Sequence, residues 1–113
     1  MLQDASSRHI SEAISAPAGD TVLIAANPEA WNYIHEIIGD LSAAGSMSII
    51  AIDADTTEHI LGTFNLGDGQ GLTLQDEPGQ GGRPRFEFNP GQSAVMRTSG
   101  GDFSGSMDRS IRY

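Results

Sequence analysis

The sequence predicts an all-β fold, a small antiparallel β-sandwich of jelly-roll-like type with a loosely held N-terminal arm. The 113 residues fit one domain with a single modest core. Hydrophobic residues make up 38% of the chain and there are 14 glycines, so we expect a thin core and many turns. About seven or eight short apolar or alternating segments, separated by turn residues, recur at the spacing of a sandwich or jelly roll.

The first segment is polar and predicts little regular structure. Ile10 and Ile14 are four residues apart, which would place them on one side of a helical turn. We expect residues 1–18 to form the arm and residues 19–113 to form the sandwich domain. Within that domain TVLIAANP at 21–28 is rich in branched residues and stops at a proline, which is typical of a buried strand.

Residues 27–39 are compatible with either a helix or a strand. Asn27 can cap a helix, Pro28 suits its first turn and Gly39 can end it. The same segment also alternates as a strand does, and it contains aromatic and branched residues that favour strands. Taken alone, the local pattern favours a helix.

The middle of the chain predicts a hairpin and one further strand. Residues 46–53 and 59–66 are strand-like, and DADTT between them supplies turn chemistry. After a glycine-rich loop, Leu72 and Leu74 point to one side of the next strand. The glycine-rich segment that follows, up to residue 84, is expected to be a long loop.

The last third of the chain has the clearest two-residue period. Phe86 and Phe88 are expected to face the core, and Pro90 with Gly91 suits a type II turn. Apolar and polar residues continue to alternate through residues 103–113. We therefore expect the sequence to end as a strand.

The net charge of −9 is unevenly distributed. Residues 1–80 carry twelve acidic residues and a single basic one, Arg8, whereas residues 81–113 carry five arginines and three acids, and the chain has no lysine. The acidic part should repel phosphate, so we expect no nucleic-acid partner. No apolar run is long enough to cross a bilayer, so we expect no membrane partner either. The arginines either lie on solvated strand faces or meet an acidic protein.

The residue inventory predicts a protein that is not an enzyme. The chain has no cysteine, and His9, His35 and His59 lie on unrelated segments. We expect no cofactor and no metal site. Asp53 and Asp55 resemble the start of a calcium loop, but the glycine and the final glutamate of that loop are missing, so calcium is only a minor alternative to a hairpin tip.

Several residues are candidates for a protein interface. Trp31 and Tyr33 suit either the core or an interface, because both residue types are enriched where partners dock. Arg109 falls on the apolar side of the last alternation, where its charge needs either a neighbouring subunit or an edge at which it can reach water. The predicted interface set is Arg8, Ile10, Trp31, Tyr33, Arg83, Arg85, Arg109, Arg112 and Tyr113.

Five short segments carry a resemblance to a known family. They are Gly19 with the following TVLIAA, LSAAG at 41–45, LGTFNLGDGQGLTL at 61–74, FEFNPGQSAVMRTSGG at 86–101 and SGSMDRSIRY at 104–113. In these segments the sequence resembles small phage virion proteins, head decoration or head-fibre components with a jelly-roll-like β-sandwich. The resemblance implies a strand over residues 30–42. The chain departs from these proteins in the hairpin at 50–60, which lacks their usual aromatic-Lys-Ser-Gly turn, and in the loop at 76–84, which is longer and lacks a tryptophan.

The resemblance also implies a function. A decoration or cement protein would bind the major capsid protein on the outside of the shell and would be part of the virion. We expect a homo-oligomer, with a trimer favoured, and expect the arm at 1–18 to reach a neighbour. The alternative is a fibre, spike or receptor-binding module whose loops at 67–71 and 76–84 contact a glycan or protein on a host surface.

Overall fold

The computed structural model describes residues 7–76 and 83–113. Over these residues the chain forms strands and turns without a helix, so no helix there is long and apolar enough to cross a membrane. The strands are β1 (Ser7–Ala16), β2 (Gly19–Ile24), β3 (Trp31–Leu41), β4 (Gly45–Ile52), β5 (Glu58–Leu66), β6 (Gly71–Leu74), β7 (Phe86–Phe88), β8 (Ser93–Ser99) and β9 (Phe103–Arg112).

The strands form two antiparallel sheets in the order of a jelly roll. The four-stranded sheet has the order β2-β8-β4-β5, and the five-stranded sheet has the order β1-β9-β3-β6, with β7 also paired to β3. Strands β6 and β7 share one edge of β3, because β6 pairs with residues 37–40 and β7 with residues 32–34. Together they fill the place of one strand in an eight-stranded jelly roll. The predicted fold class is confirmed.

The core lies between the two sheets and follows the alternation of each strand. Side chains at every second position point inward, as the two-residue period requires. Each large apolar side chain that is fully buried contributes about 1.5–3 kcal/mol. The largest fully buried ones in this core are Phe88, Phe103, Ile34, Ile37, Met47, Ile49 and Met96.

The segment at 27–39 does not form the helix that its local pattern favours. β3 pairs with β9 from Trp31 to Leu41 and with β6 and β7 on its other side. Pairing on both sides outweighs the weak helical preference of a few residues. The strand implied by the resemblance over residues 30–42 is confirmed, with a bulge at His35.

The structure differs from the expected N-terminal arm. Residues 1–6 lie outside the described part, but residues 7–16 form β1, which pairs with β9 along its whole length. Ile14 and Ala16 are buried in the core. The spacing of Ile10 and Ile14 was ambiguous, since residues four apart also share one face of a strand.

β2 also differs from its prediction, because it is an edge strand of the four-stranded sheet and not a buried one. Ile24 is buried, whereas Val22 is 61% exposed on the outer face.

The turn after β7 has the type II geometry that the sequence predicts. Gln92 N donates to Asn89 O at 3.0 Å, and Gly91 has a φ of 89°, as a type II turn requires.

Two glycines face each other where β3 and β9 pair. Gly39 lies directly opposite Gly105. A Cβ added at Gly105 would overlap the carbonyl oxygen of Ile38 and lie 2.7 Å from the Cα of Gly39. A Cβ at Gly39 would lie 2.6 Å from the ring of Phe103. This close approach excludes any side chain at either position, so we name the two residues the glycine pair.

Candidate functional site

An aromatic depression lies at the end of the five-stranded sheet where β3 begins and β9 ends. We call it the aromatic shelf, and it is lined by Glu29, Trp31, Tyr33, Arg112 and Tyr113. Its volume is about 350 Å³. Trp31 is 42% exposed and Tyr113 is 62% exposed, which is unusual for large aromatic side chains.

The backbone around the shelf is well defined. Trp31 and Tyr33 are two residues apart on β3 and therefore share its outer face. Arg112 lies directly opposite Trp31 in the pairing with β9. Just before β3, Asn27 Oδ1 accepts a hydrogen bond from Glu29 N at 2.9 Å. Asn27 thus caps a turn, where the sequence suggested that it caps a helix, and this turn positions Glu29.

The structure brings most of the predicted interface set to this end of the sheet. Trp31, Tyr33, Arg112 and Tyr113 line the shelf. On β1, Arg8 pairs with Ile111 through the backbone, although its side chain lies outside the described part, and Ile10 pairs with Arg109. That these residues form a protein interface stays a prediction.

Two members of the predicted set lie elsewhere, in the segment before β7. Arg83 is exposed there. The guanidinium of Arg85 lies 5.9 Å from the ring centroid of Phe64 and 5.7 Å from that of Phe86. Arg85 therefore packs over aromatic rings of its own domain, in the geometry of a cation–π contact.

Arg109 finds its partner within the chain. Its Nε donates to Glu12 Oε1 at 2.5 Å, and its side chain is 15% exposed. Glu12 comes from β1, the strand that the sequence did not predict. The charge on the inner side of β9 is therefore paired without a neighbouring subunit, as a largely buried charge requires.

Two histidines that the sequence placed on unrelated segments meet on the outer face of the five-stranded sheet. His35 Nδ1 lies 3.0 Å from Asp76 Oδ2, and His35 Nε2 lies 2.7 Å from Ser110 Oγ. The ring of His9 stacks on the ring of His35 with 5.0 Å between centroids. We name this group the histidine clasp, because it joins β1, β3, β9 and the segment after β6.

In the histidine clasp, Ser110, His35 and Asp76 are hydrogen-bonded one to the next, as the residues of a Ser-His-Asp hydrolase triad are. The surroundings of Ser110, however, differ from those of a catalytic serine. Ser110 is only 7% exposed and lies within β9, paired with His9 on one side and Tyr33 on the other. A catalytic serine needs an open approach for the substrate and donors for the oxyanion. We interpret the clasp as a contact that holds strands together.

A row of aliphatic residues crosses the outer face of the four-stranded sheet. Val22, Val95, Ile50 and Ile60 lie directly opposite one another on β2, β8, β4 and β5. We call this row the aliphatic stripe. Its two ends are open, since Val22 and Ile60 are each more than 60% exposed, while Val95 and Ile50 are buried. The sequence analysis missed it, because the four residues are adjacent only through strand register.

Arg97 connects the two edges of the same face. Its guanidinium binds Asp20 on β2 at 2.7 Å and Glu58 on β5 at 2.8 Å. Hydrogen bonds from Arg97 lower the pKa of Asp20 and of Glu58, and the two carboxylates raise the pKa of Arg97. Val95 and Ile50, the middle of the stripe, lie between the row of Arg97 and the row of Glu58 in the strand register.

The suggested calcium loop is a hydrogen-bonded hairpin tip. Asp53 accepts hydrogen bonds from Gln92 at 2.7 Å and His59 at 2.8 Å, and these lower its pKa, with Gln92 contributing most. Asp55 Oδ1 accepts from Thr57 N at 3.1 Å within the turn. Within residues 7–76 and 83–113, no group of three His, Asp or Glu side chains is placed to hold a metal ion.

The comparisons with known proteins support the fold alone. No family model matches the chain, and no curated protein matches it. Among solved structures, it is similar to a protein of Bacillus endospore appendages, which form a family of disulfide-linked pili. The TM-score is 0.53 and the identity 12%, with 100% of this chain and 96% of that chain covered. A crystal structure of PirA matches with a TM-score of 0.39 and 10% identity over 99% of this chain and 96% of that one.

Proposed function

We propose that this chain is a non-catalytic structural subunit, a decoration protein that binds the major capsid protein on the outside of a phage capsid. The aliphatic stripe is the observation that carries the proposal. Its exposed ends, Val22 and Ile60, flank the buried Val95 and Ile50 on one rigid sheet face, and exposed aliphatic side chains on such a face are a mark of a docking surface. The resemblance to phage virion proteins supports the viral setting, and the likeness to an appendage protein supports a fold that is used in assemblies.

The stripe suits attachment to a regular shell. Its open ends, Val22 and Ile60, are three strand spacings apart, or about 14 Å. Nearby, Arg97 pairs with both Asp20 and Glu58, which leaves this group with one net negative charge. When an apolar surface docks there, each of the two carboxylates keeps its guanidinium partner.

Attachment by these residues cannot use a disulfide. The Bacillus appendages are described as disulfide-linked, whereas this chain has no cysteine. A small docking face binds weakly by itself, but repeated sites on a shell and a homo-oligomer, with a trimer favoured, add their contacts. The protein would then act as part of the virion.

Co-sedimentation with capsid particles tests the docking surface. The double variant Val22→Ser and Ile60→Ser should bind particles at least about tenfold more weakly, since it removes roughly 1.4 kcal/mol or more of apolar contact. Ile38→Ser is the matched control, because Ile38 is an exposed isoleucine on the outer face of the other sheet. It should bind as the wild type does.

The same experiment has a clear negative outcome. Equal binding of the double variant and the wild type, with both folded by circular dichroism, would exclude the stripe as the docking surface. Absence of the wild-type protein from sedimented particles would exclude the decoration function itself. The alternative of a receptor-binding module stays open, and residues 77–82 of its predicted loop lie outside the described part.

A further inference from the structure

We infer that the aromatic shelf binds the ring of a neutral pyranose sugar. This goes beyond shell docking and uses a different surface, the end of the five-stranded sheet. The inference rests on the exposure of the rings, the size of the depression and the charges that line it.

Exposed rings on a rigid strand form the first part of the argument. Trp31 and Tyr33 project from the same face of β3, which is paired on both sides. Tyr113 follows the end of β9 and is the more open of the two exposed aromatic side chains. Aromatic rings with a polar edge suit ligands that combine an apolar face with hydroxyl groups. A pyranose ring has one face of C–H groups and a rim of hydroxyls.

The size of the shelf distinguishes a small ligand from a protein. Its volume of about 350 Å³ is near the lower end of the range for small-molecule sites, which starts at about 300 Å³. A stable protein interface needs about 20–30 residues on each side. Five lining side chains match the contacts of one sugar ring, whereas a protein partner would have to extend well beyond the depression.

The polar groups of the shelf favour a neutral ligand. Glu29 offers carboxylate oxygens that accept hydrogen bonds from hydroxyls, and its backbone is held by Asn27. The lining carries one acidic and one basic side chain, Glu29 and Arg112, so it offers no net positive charge to an anionic sugar, and the net charge of −9 of the chain repels such a ligand. Arg112 lies beside Trp31 and completes the lining.

Fluorescence of Trp31 gives a direct test, because Trp31 is the one tryptophan in the chain. The probes are methyl α-D-glucopyranoside, methyl α-D-galactopyranoside and methyl N-acetyl-β-D-glucosaminide, each titrated into the full chain. At least one should change the emission in a saturable way, with a Kd of about 1 mM, as expected for a ligand of this size. Mannitol is the control ligand, since it has the hydroxyls without the ring.

Variants assign the response to the shelf. Tyr113→Ala should weaken binding by at least about fivefold while keeping the Trp31 reporter. Val22→Ser, on the other sheet, should leave the Kd unchanged. For particle binding we expect the opposite, with a loss in Val22→Ser and none in Tyr113→Ala. The failure of one proposal therefore leaves the other untouched.

Three results would overturn the inference. They are a non-saturable response to all three glycosides, an equal response to mannitol, and wild-type affinity in the Tyr113→Ala variant. Tighter binding of 3′-sialyllactose than of any neutral probe would overturn the assignment to neutral sugars.

Discussion

Arg97 shows how one side chain ties the outer face of a sheet together. It sits on β8 and reaches carboxylates on both edge strands, Asp20 on β2 and Glu58 on β5. Exposed ion pairs contribute little singly, but a guanidinium with two bidentate partners forms a small network. The network also lies along the aliphatic stripe, so its loss affects both charge and packing.

Replacing Arg97 tests this network through pH. The pKa of Asp20 and of Glu58 is lowered in the folded protein. Their pairing with Arg97 therefore stabilises the folded protein at pH values above the ordinary carboxyl pKa. This stabilisation is lost as the pH falls through the lowered pKa values of the two carboxyls. Arg97→Gln should reduce the Tm by a few degrees at pH 7, and the difference should shrink as the pH falls below the ordinary carboxyl range.

Thermal unfolding followed by circular dichroism at several pH values measures the effect. Arg83→Gln is the control, since it removes the same charge from an exposed site before β7. A difference in Tm between wild type and Arg97→Gln that is constant from pH 7 to pH 2 would contradict the assignment to carboxylates.

For single residues, the sequence predicts which side chains point into the core, but it does not predict which side chains contact one another across the strands. Phe86 and Phe88 were assigned to the core from alternation alone, and both are buried. The contact of His35 with Ser110 joins residues 75 positions apart. Such a contact depends on strand order and register, which no local pattern contains.

Among the elements, β1 differs most from its prediction. Its outward positions carry small or polar side chains, so its composition suggested an arm, yet it covers one edge of β9. Its inward side chains, including Ile14 and Ala16, belong to the core. β3 illustrates the opposite case, in which a resemblance to a family corrected a local preference for a helix.

Truncation tests the role of β1. Deleting residues 1–16 should lower the free energy of unfolding by about 3 kcal/mol or more, because it removes a buried isoleucine, the Glu12 partner of Arg109 and a row of ladder hydrogen bonds. Urea unfolding measures it. Deleting only residues 1–6 leaves every described strand and serves as the control. A free energy of unfolding unchanged by the longer deletion would restore the arm interpretation.

For the whole molecule, the proposed attachment and sugar-binding surfaces lie on different sheets. The aliphatic stripe is on the outer face of the four-stranded sheet, and the aromatic shelf is at the end of the five-stranded sheet. The sequence predicted the sandwich because alternation is a local property. The sequence did not predict that the aliphatic stripe and the aromatic shelf lie on different sheets, because that depends on which sheet each strand joins.

This separation predicts that protein bound to particles still binds sugar. The Trp31 response to the most effective glycoside should have the same Kd, within about twofold, for free and particle-bound protein. Titration of purified decorated particles measures it, with undecorated particles as the blank. Complete loss of the response on particles would show that the shelf faces the shell.

The glycine pair, near the end of β3 and the start of β9, helps to trace distant relatives. Two facing positions that exclude even a methyl group fix the register between the strands. A distant sequence whose hydrophobic residues no longer align can still be aligned at this point, by matching two of its glycines to Gly39 and Gly105. A candidate homologue with alanine at one of them must have moved the two backbones apart.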